Sequence, residues 1–288
     1  METDNITIEI EISGKKLNID GKYNTSAPYK LMNVEGLSAS DYEIELTSNG
    51  SGNGGRISGK RVAERIITIE CKSVASGKNA DEEYLIGFFT PFETGRMTIN
   101  KYGTKRYITI DIRSFKINRK QQSNSLKFQA IFLCADPFFH DVDQHGENMA
   151  SKTNLIRAPL VFTKGNFVAS IKRYKLEARV NNPGHKETGL IISIIARGDV
   201  DQPRIDNLTN GQYISVNTKM KNKDVLVINT IKGETGITLN GTNITHLKDR
   251  KSRFFQMLSG DNILKYSAMT GYIYMDVSPR WGAEFLGI

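Results

Sequence analysis

Most of the usual signals of chemistry are missing from this chain of 288 residues. It has two cysteines, Cys71 and Cys134, with neither a CxxC pair nor a His-Cys cluster beside them. Both lie in apolar runs, Ile66–Cys71 and Ala130–Cys134, and so read as buried thiols acting as small hydrophobes. No apolar run approaches the ~20 residues that a membrane span needs. Met1 is followed by Glu2, Thr3 and Asp4, the wrong start for a secretory signal, so folding in a cytoplasm is the expectation. No serine stands in a GxSxG elbow, and no glycine run has the GxxxxGK[ST] form or a strand–GxGxxG–helix setting.

The remaining candidates for chemistry are weak. His140-Asp-Val-Asp-Gln-His145-Gly-Glu147 mixes imidazoles with carboxylates, which could hold a divalent cation if the segment wrapped around one. Its spacing fits neither HExxH nor the DxDxDG…E loop, and an acidic connector with two solvated histidines explains it more simply. Arg250-Lys251-Ser-Arg253-Phe254-Phe255 could meet phosphate and stack bases. Without an RNP, helix-turn-helix or zinc-finger pattern, it reads instead as a charged turn entering a core strand at Phe254-Phe255. No catalytic, cofactor-binding or metal-binding residue is nominated, and neither sequence-specific nucleic-acid binding nor a membrane role is expected.

The residues that are present describe a mainly β protein. Ile6, Ile8, Ile10 and Ile12 alternate with Thr7, Glu9 and Glu11, the period of two of a half-buried strand. Arg65–Cys71 and Tyr107–Ile112 repeat the pattern. Between Glu45 and Gly59 the polar, glycine-rich run is expected to be a loop without regular structure. One short helix is expected over 79–90, with acids in its first turn, an apolar face of Tyr84, Leu85, Phe88 and Phe89, and Pro91 ending it. In the second half Leu190–Ile195 should be buried on both sides. Gln212–Val216 and Asp224–Ile231 follow as strands, and Asn240-Gly241 supplies a turn. Short strands at regular intervals suggest a sandwich.

Two domains are expected, 1–150 and 151–288, because the segment from His140 to Lys152 loses its hydrophobic period. Charge divides along the same line. Residues 1–150 hold 19 Lys and Arg against 20 Asp and Glu, while 151–288 hold 20 against 11. The halves therefore face different surroundings, and a basic second half could meet an anionic partner, although such an excess is more often a solvated face.

A series of short motifs adds a family. Near the start stands Tyr29-Lys-Leu31 with Gly36-Leu37, then Arg65-Ile-Ile-Thr-Ile69, then Tyr102-Gly-Thr-Lys-Arg106-Tyr107-Ile108, then Asp136-Pro137-Phe138-Phe139. The second half carries Gly198 with Pro203-Arg-Ile205, then Asp224-Val-Leu-Val-Ile228-Asn-Thr230, then Leu258-Ser-Gly260-Asp-Asn262-Ile263, and closes with Arg280-Trp281-Gly282 and Gly287-Ile288. In this order they resemble the distal tail proteins, baseplate hub components of tailed phages that infect Gram-positive bacteria. Lys223, Asn229 and Ser259 stand where that family usually has Gly, Asp and Pro.

The resemblance implies a β-rich, ring-forming N-terminal domain with one short helix, followed by a C-terminal galectin-like β-sandwich. It implies a structural virion protein of the tail tip, forming a homo-hexamer that joins the tail tube protein to the baseplate and passes DNA through its lumen. Its implied partners are the tail-associated lysin or tail fibre and receptor-binding proteins. The alternative is a carbohydrate-binding adhesin or lectin. Against it, galectins carry an H-x-N-x-R strand that has no counterpart here, since His185 continues as Lys-Glu-Thr-Gly. The single tryptophan, Trp281, is better placed for a core.

Overall fold

The computed structural model describes residues 3–22, 27–50, 52–74, 78–118, 126–154, 170–174 and 176–288. It divides into two compact units. One holds Met1–Val142 together with Phe285–Ile288, the other Asp143–Glu284. The division falls at Val142/Asp143, a little before the boundary expected at residue 150, and the last four residues belong with the first unit.

The first unit contains β1 (Ile6–Ile12), β2 (Lys15–Asp20), β3 (Tyr29–Glu35), β4 (Tyr42–Ser48), β5 (Gly55–Val62), β6 (Arg65–Ser73), α1 (Lys78–Phe88), β7 (Thr94–Lys101), β8 (Thr104–Asn118), β9 (Lys127–Cys134) and β10 (Phe139–Asp141). The strands run in the order β10-β8-β7-β1-β2-β3-β6-β9, and β9 pairs back with β8, so the sheet closes into a barrel. Closure depends on β8, which pairs with β7 from Thr104 to Asp111 and with β9 from Asp111 onward. A register shift between Ile112 and Ser114 bends the strand between these two partners.

Strand β1 shows why these residues choose this fold. Its four isoleucines are buried, and each fully buried side chain contributes roughly 1.5–3 kcal/mol. The barrel interior is filled by these isoleucines with Met97, Ile99, Ile108, Ile110, Phe128 and Phe132. From α1, Leu85 and Phe88 are buried with Phe89 just beyond it, and the Phe89 ring stacks on Phe115 at 4.6 Å. Tyr84, expected on the same apolar face, is exposed.

Residues 45–59 depart from the expectation of an irregular loop. Of these, 45–48 and 55–59 belong to an antiparallel ribbon, β4 on β5, which joins no other strand among the described residues. Tyr42, Ile44 and Leu46 alternate with Glu43, Glu45 and Thr47, a strand period that the neighbouring glycines obscure. The glycines serve the turn, where Gly50 and Gly54 have φ of 66° and 82°, and a register shift after Glu45 accommodates the remainder.

In the second unit the strands are β11 (His145–Gly146), β12 (Ala150–Asn154), β13 (Ser170–Tyr174), β14 (Glu177–Asn182), β15 (Leu190–Ala196), β16 (Val200–Asn207), β17 (Gln212–Ser215), β18 (Lys219–Met220), β19 (Val225–Asn229), β20 (Gly236–Leu239), β21 (Thr242–Asn243), β22 (Gly260–Thr270) and β23 (Met275–Trp281). A last short strand, β24 (Glu284–Phe285), returns to β10 at the edge of the barrel sheet. Sheets ordered β11-β23-β15-β19-β20-β21 and β14-β22-β16-β17 face each other across one core, a β-sandwich. Trp281 lies in that core, as expected.

Strand β15 differs from expectation in one respect. Leu190, Ile192, Ile194 and Ala196 are buried, whereas Ile191, Ser193 and Ile195 are only half covered. The strand is central in its sheet, but one face is packed against the second layer and the other is not. The Asn240-Gly241 turn is as expected, with φ of 49° and 82°, the paired positive values of a tight hairpin. The segment from His140 to Lys152, expected as an irregular connector, instead supplies β10, β11 and the start of β12.

Candidate interaction surfaces

The motifs of the first half meet at one side chain. Arg65 opens β6 and is 2% exposed. Its guanidinium donates to the carbonyls of Pro137 at 2.8 Å, Gly36 at 2.6 Å and Leu286 at 2.6 Å, and also to that of Ser38. It lies 4.7 Å from the centre of the Phe139 ring. Burial lowers its pKa from the ordinary arginine value. Gly36-Leu37, Arg65, Asp136-Pro137-Phe138 and the terminal Leu286-Gly287 are therefore parts of one clamp. Gly36 has φ of +87°, and a β-carbon there would come within 2.1 Å of the Ile66 carbonyl. Arg106 donates to Gly287 O and sits 3.4 Å over the Phe285 ring, while Lys101 reaches Ile288 O at 2.7 Å.

Turns of the sandwich are held by buried amides. Asn262 is fully buried, accepts from Leu258 N at 3.0 Å, and donates to the carbonyls of Leu258 at 2.8 Å and Gly260 at 3.0 Å. Asn182 and Asn207, equally buried, each accept from a backbone N–H two residues on. Neither is marked in the sequence, since a single polar residue ending a strand carries no periodic signal. Thr230 Oγ1 accepts from Leu190 N at 2.8 Å. Lys223 has φ of 77°, the conformation that glycine adopts freely, and Asn229 Oδ1 accepts from Ile231 N as a carboxylate would. The two substituted positions thus keep the turn geometry of the motif.

The residues examined for metal chemistry are not brought together. His140 belongs to the first unit, where its Nε2 lies 2.8 Å from Asp136 Oδ2 and its ring stacks on Tyr107 at 5.3 Å. His145 belongs to the second, pairs with Trp281 across β11–β23 and stacks on its ring at 6.0 Å, and Glu147 N bonds Pro279 O there. His140 and His145 are thus half-buried strand residues, whereas Glu147 is exposed and lies outside the strands, as a connector position would. Among the described residues no group of three His, Cys, Asp or Glu could hold a metal ion. Both thiols are free and buried, and burial pushes the Cys134 thiol up to about 12 and that of Cys71 higher still. Phe255 is buried and Phe254 packs against the same core, but they sit in irregular chain, held by the Thr188–Met257 bridge rather than by a strand.

Two surfaces remain as candidates for contact. On the outward face of the smaller sheet Glu177, Lys265, Asp206 and Tyr213 stand opposite one another across four strands. Arg204 donates to both oxygens of Asp206 and covers one face of the Tyr213 ring at 3.8 Å, and Tyr213 Oη donates to Asp249 at 3.1 Å. In the first unit the β4–β5 ribbon exposes Tyr42, Ile44, Leu46 and Ile57. The basic excess of the second half is concentrated elsewhere. Residues 148–176 hold six Lys and Arg and no acid, a stretch that spans β12, β13 and residues 155–169 and 175 outside the described set.

Residues 183–281 match the family described as siphovirus-type tail component, C-terminal domain. Over these residues the chain is similar to that tail-component domain. The likeness to distal tail proteins seen in the motifs is upheld, and with it a place in the phage tail and hence in the virion. The crystal structure of Dit from phage SPP1, described as a paradigm of the hub adsorption apparatus in phages infecting Gram-positive bacteria, aligns with both units. The alignment covers 96% of this chain and 99% of that one, with a TM-score of 0.69 and 14% identity. At that identity the superposition shows a shared fold alone. A chain of the phage P2 baseplate in its activated conformation with Ca aligns over 96% and 98%, with a TM-score of 0.47 and 9% identity, and carries no argument. No curated protein matches. Among the described residues no helix is long and apolar enough to cross a membrane.

Proposed function

We propose that this chain is a distal tail hub, a homo-hexameric ring that joins the tail tube to the baseplate and passes DNA through the space between copies. The observation that carries the reading is the alignment of both units, in order, with a phage hub protein over 96% of the chain. The barrel supports it in one respect. Its interior is filled with isoleucine and phenylalanine, so a duct has to lie among copies and not within one. The near balance of charge in residues 1–150 suits a lining that must not grip the duplex, because each neutralised phosphate adds salt-dependent affinity. The sandwich would then dock the tail-associated lysin or fibre and receptor-binding proteins, and the chain has no catalytic task.

The lectin reading is less well supported. Sugar stacking needs an open aromatic face, and Tyr213 on the outward sheet has one face covered by Arg204. Mass in solution separates the two readings. A ring has six times the 32.3 kDa of one chain, and electron images of it should show six-fold symmetry. A monomer at every concentration that binds neutral sugar in high salt would replace the hub with the lectin.

A further inference from the structure

The β4–β5 ribbon is amphipathic in an unusual place. By register Tyr42 faces Val62, Ile44 faces Lys60 and Leu46 faces Ile57, which puts the apolar residues on one side. The other side carries the Glu43–Arg61 ion pair at 2.5 Å with Glu45, Thr47 and Arg56. On the apolar side Tyr42, Ile44, Leu46 and Ile57 are 60%, 56%, 70% and 48% exposed. A lone two-stranded hairpin is marginal in water, and its open edges invite pairing. An ordered apolar face of this kind marks a contact that the single chain does not make.

We propose that this face is an interface between copies of the chain, in which the ribbon of one copy seats on the outer side of α1 in the next. The inference rests on the ring reading and names the contact that would build the ring. The outer side of α1 exposes Tyr84 and Ile86 beside Glu83, and Phe92 follows, fully exposed in a left-handed backbone with φ of 70°. Apolar groups are thus present on both partners, and the charges are complementary. Strand β5 brings Lys60 to the apolar side of the ribbon, and the exposed Glu83 stands beside Tyr84 and Ile86 on the helix. Ribbon-on-ribbon pairing is the poorer solution, since it would bury Lys60 against an apolar face that has no acid. A contact between two different patches is head-to-tail, and such contacts close into rings when the rotation permits.

The test is sedimentation of the full chain over a range of concentrations. Ile44→Glu with Leu46→Glu should abolish the assembled species and leave the 32.3-kDa chain, with circular dichroism and melting unchanged because the ribbon pairs with no other strand. Lys60→Glu and Glu83→Lys should each raise the concentration needed for assembly on the order of tenfold, and the two together should restore it. This charge pair keeps the test open if the glutamate variant fails to fold. Assembly that survives the ribbon substitutions would overturn the proposal and give the ribbon to another tail protein, leaving the ring intact. Failure of the double charge swap to restore assembly would overturn the choice of α1. A wild-type chain that never assembles would remove the ring and the ribbon contact together.

Discussion

The guanidinium of Arg65 has no carboxylate partner among the described residues and is satisfied by carbonyl oxygens from three separate stretches of chain. Hydrogen bonds to a charged group contribute about 1.5–3 kcal/mol each, and removing the donor leaves the acceptors buried and unpaired. Arg65→Met is expected to cost more than about 4 kcal/mol. Arg65→Lys, which keeps the charge but loses the planar fork, should still cost about 2 kcal/mol in denaturant unfolding. A lysine variant as stable as the parent would show that the clamp does not hold the unit. At Lys223 the expected sign is opposite. Glycine relieves a side chain held at φ of 77°, so Lys223→Gly should stabilise by about 0.5–1 kcal/mol, read as a higher melting temperature. The thiols offer a third measurement. Cys134 is held up to about 12 by burial, whereas an unfolded thiol ionises near about 8.5. The unfolded state therefore loses its proton first, so the stability from this group is complete below pH ~8.5 and falls as pH rises toward ~12. Native protein should leave both thiols unreactive to a disulfide reagent at pH 8, and denaturant should expose the two together. Motif residues were legible in the sequence, but their purpose was not. Nothing local to Arg65 shows that its partners lie at 36–38, 137 and 286.

At the scale of elements, strands with one buried face were the easiest to foresee. Ile6–Ile12 is the clearest case, because four isoleucines on one side leave no other register that buries them. The ribbon was missed because a glycine-rich turn and two exposed arms look polar on average, even though β4 alternates strictly. The β10 and β11 strands were missed for another reason. Strands of two or three residues have no measurable period, and only their partners in β8 and β23 define them. A buried amide gives the corresponding test for an element. Asn262 closes the turn that starts β22, and alanine there would leave the Leu258 N–H and carbonyl without that partner. Asn262→Ala is expected to cost about 2–3 kcal/mol, and hydrogen exchange should quicken first at the Leu258 amide and the neighbouring turn. Uniform loss of protection across the sandwich would instead make the side chain part of the global core.

For the whole molecule, the return of the last four residues changes how its two units are joined. Unit two is tied to unit one covalently at Val142/Asp143 and again at Glu284/Phe285. The second tie ends in a segment held by Arg65, Arg106 and Lys101. We infer that each unit folds as a domain and that the two ties share any pull exerted on the sandwich. A protease site introduced between Val142 and Asp143 tests this directly. After cleavage the fragments should still elute together under native conditions, because Leu286, Gly287 and Ile288 keep their hydrogen bonds to the barrel. A variant ending at Glu284 should release its sandwich as a soluble fragment after the same cut, and its barrel should melt at a lower temperature. The released piece also locates the charge. With six of its basic residues between 152 and 175 and no acid there, its retention on an anionic column should be lost at moderate salt, because salt screens charge attraction beyond about 8 Å. If the full-length chain and the variant ending at Glu284 separate equally well after cleavage, the terminal segment is not a second tie, and the connector near residue 143 alone holds the units together.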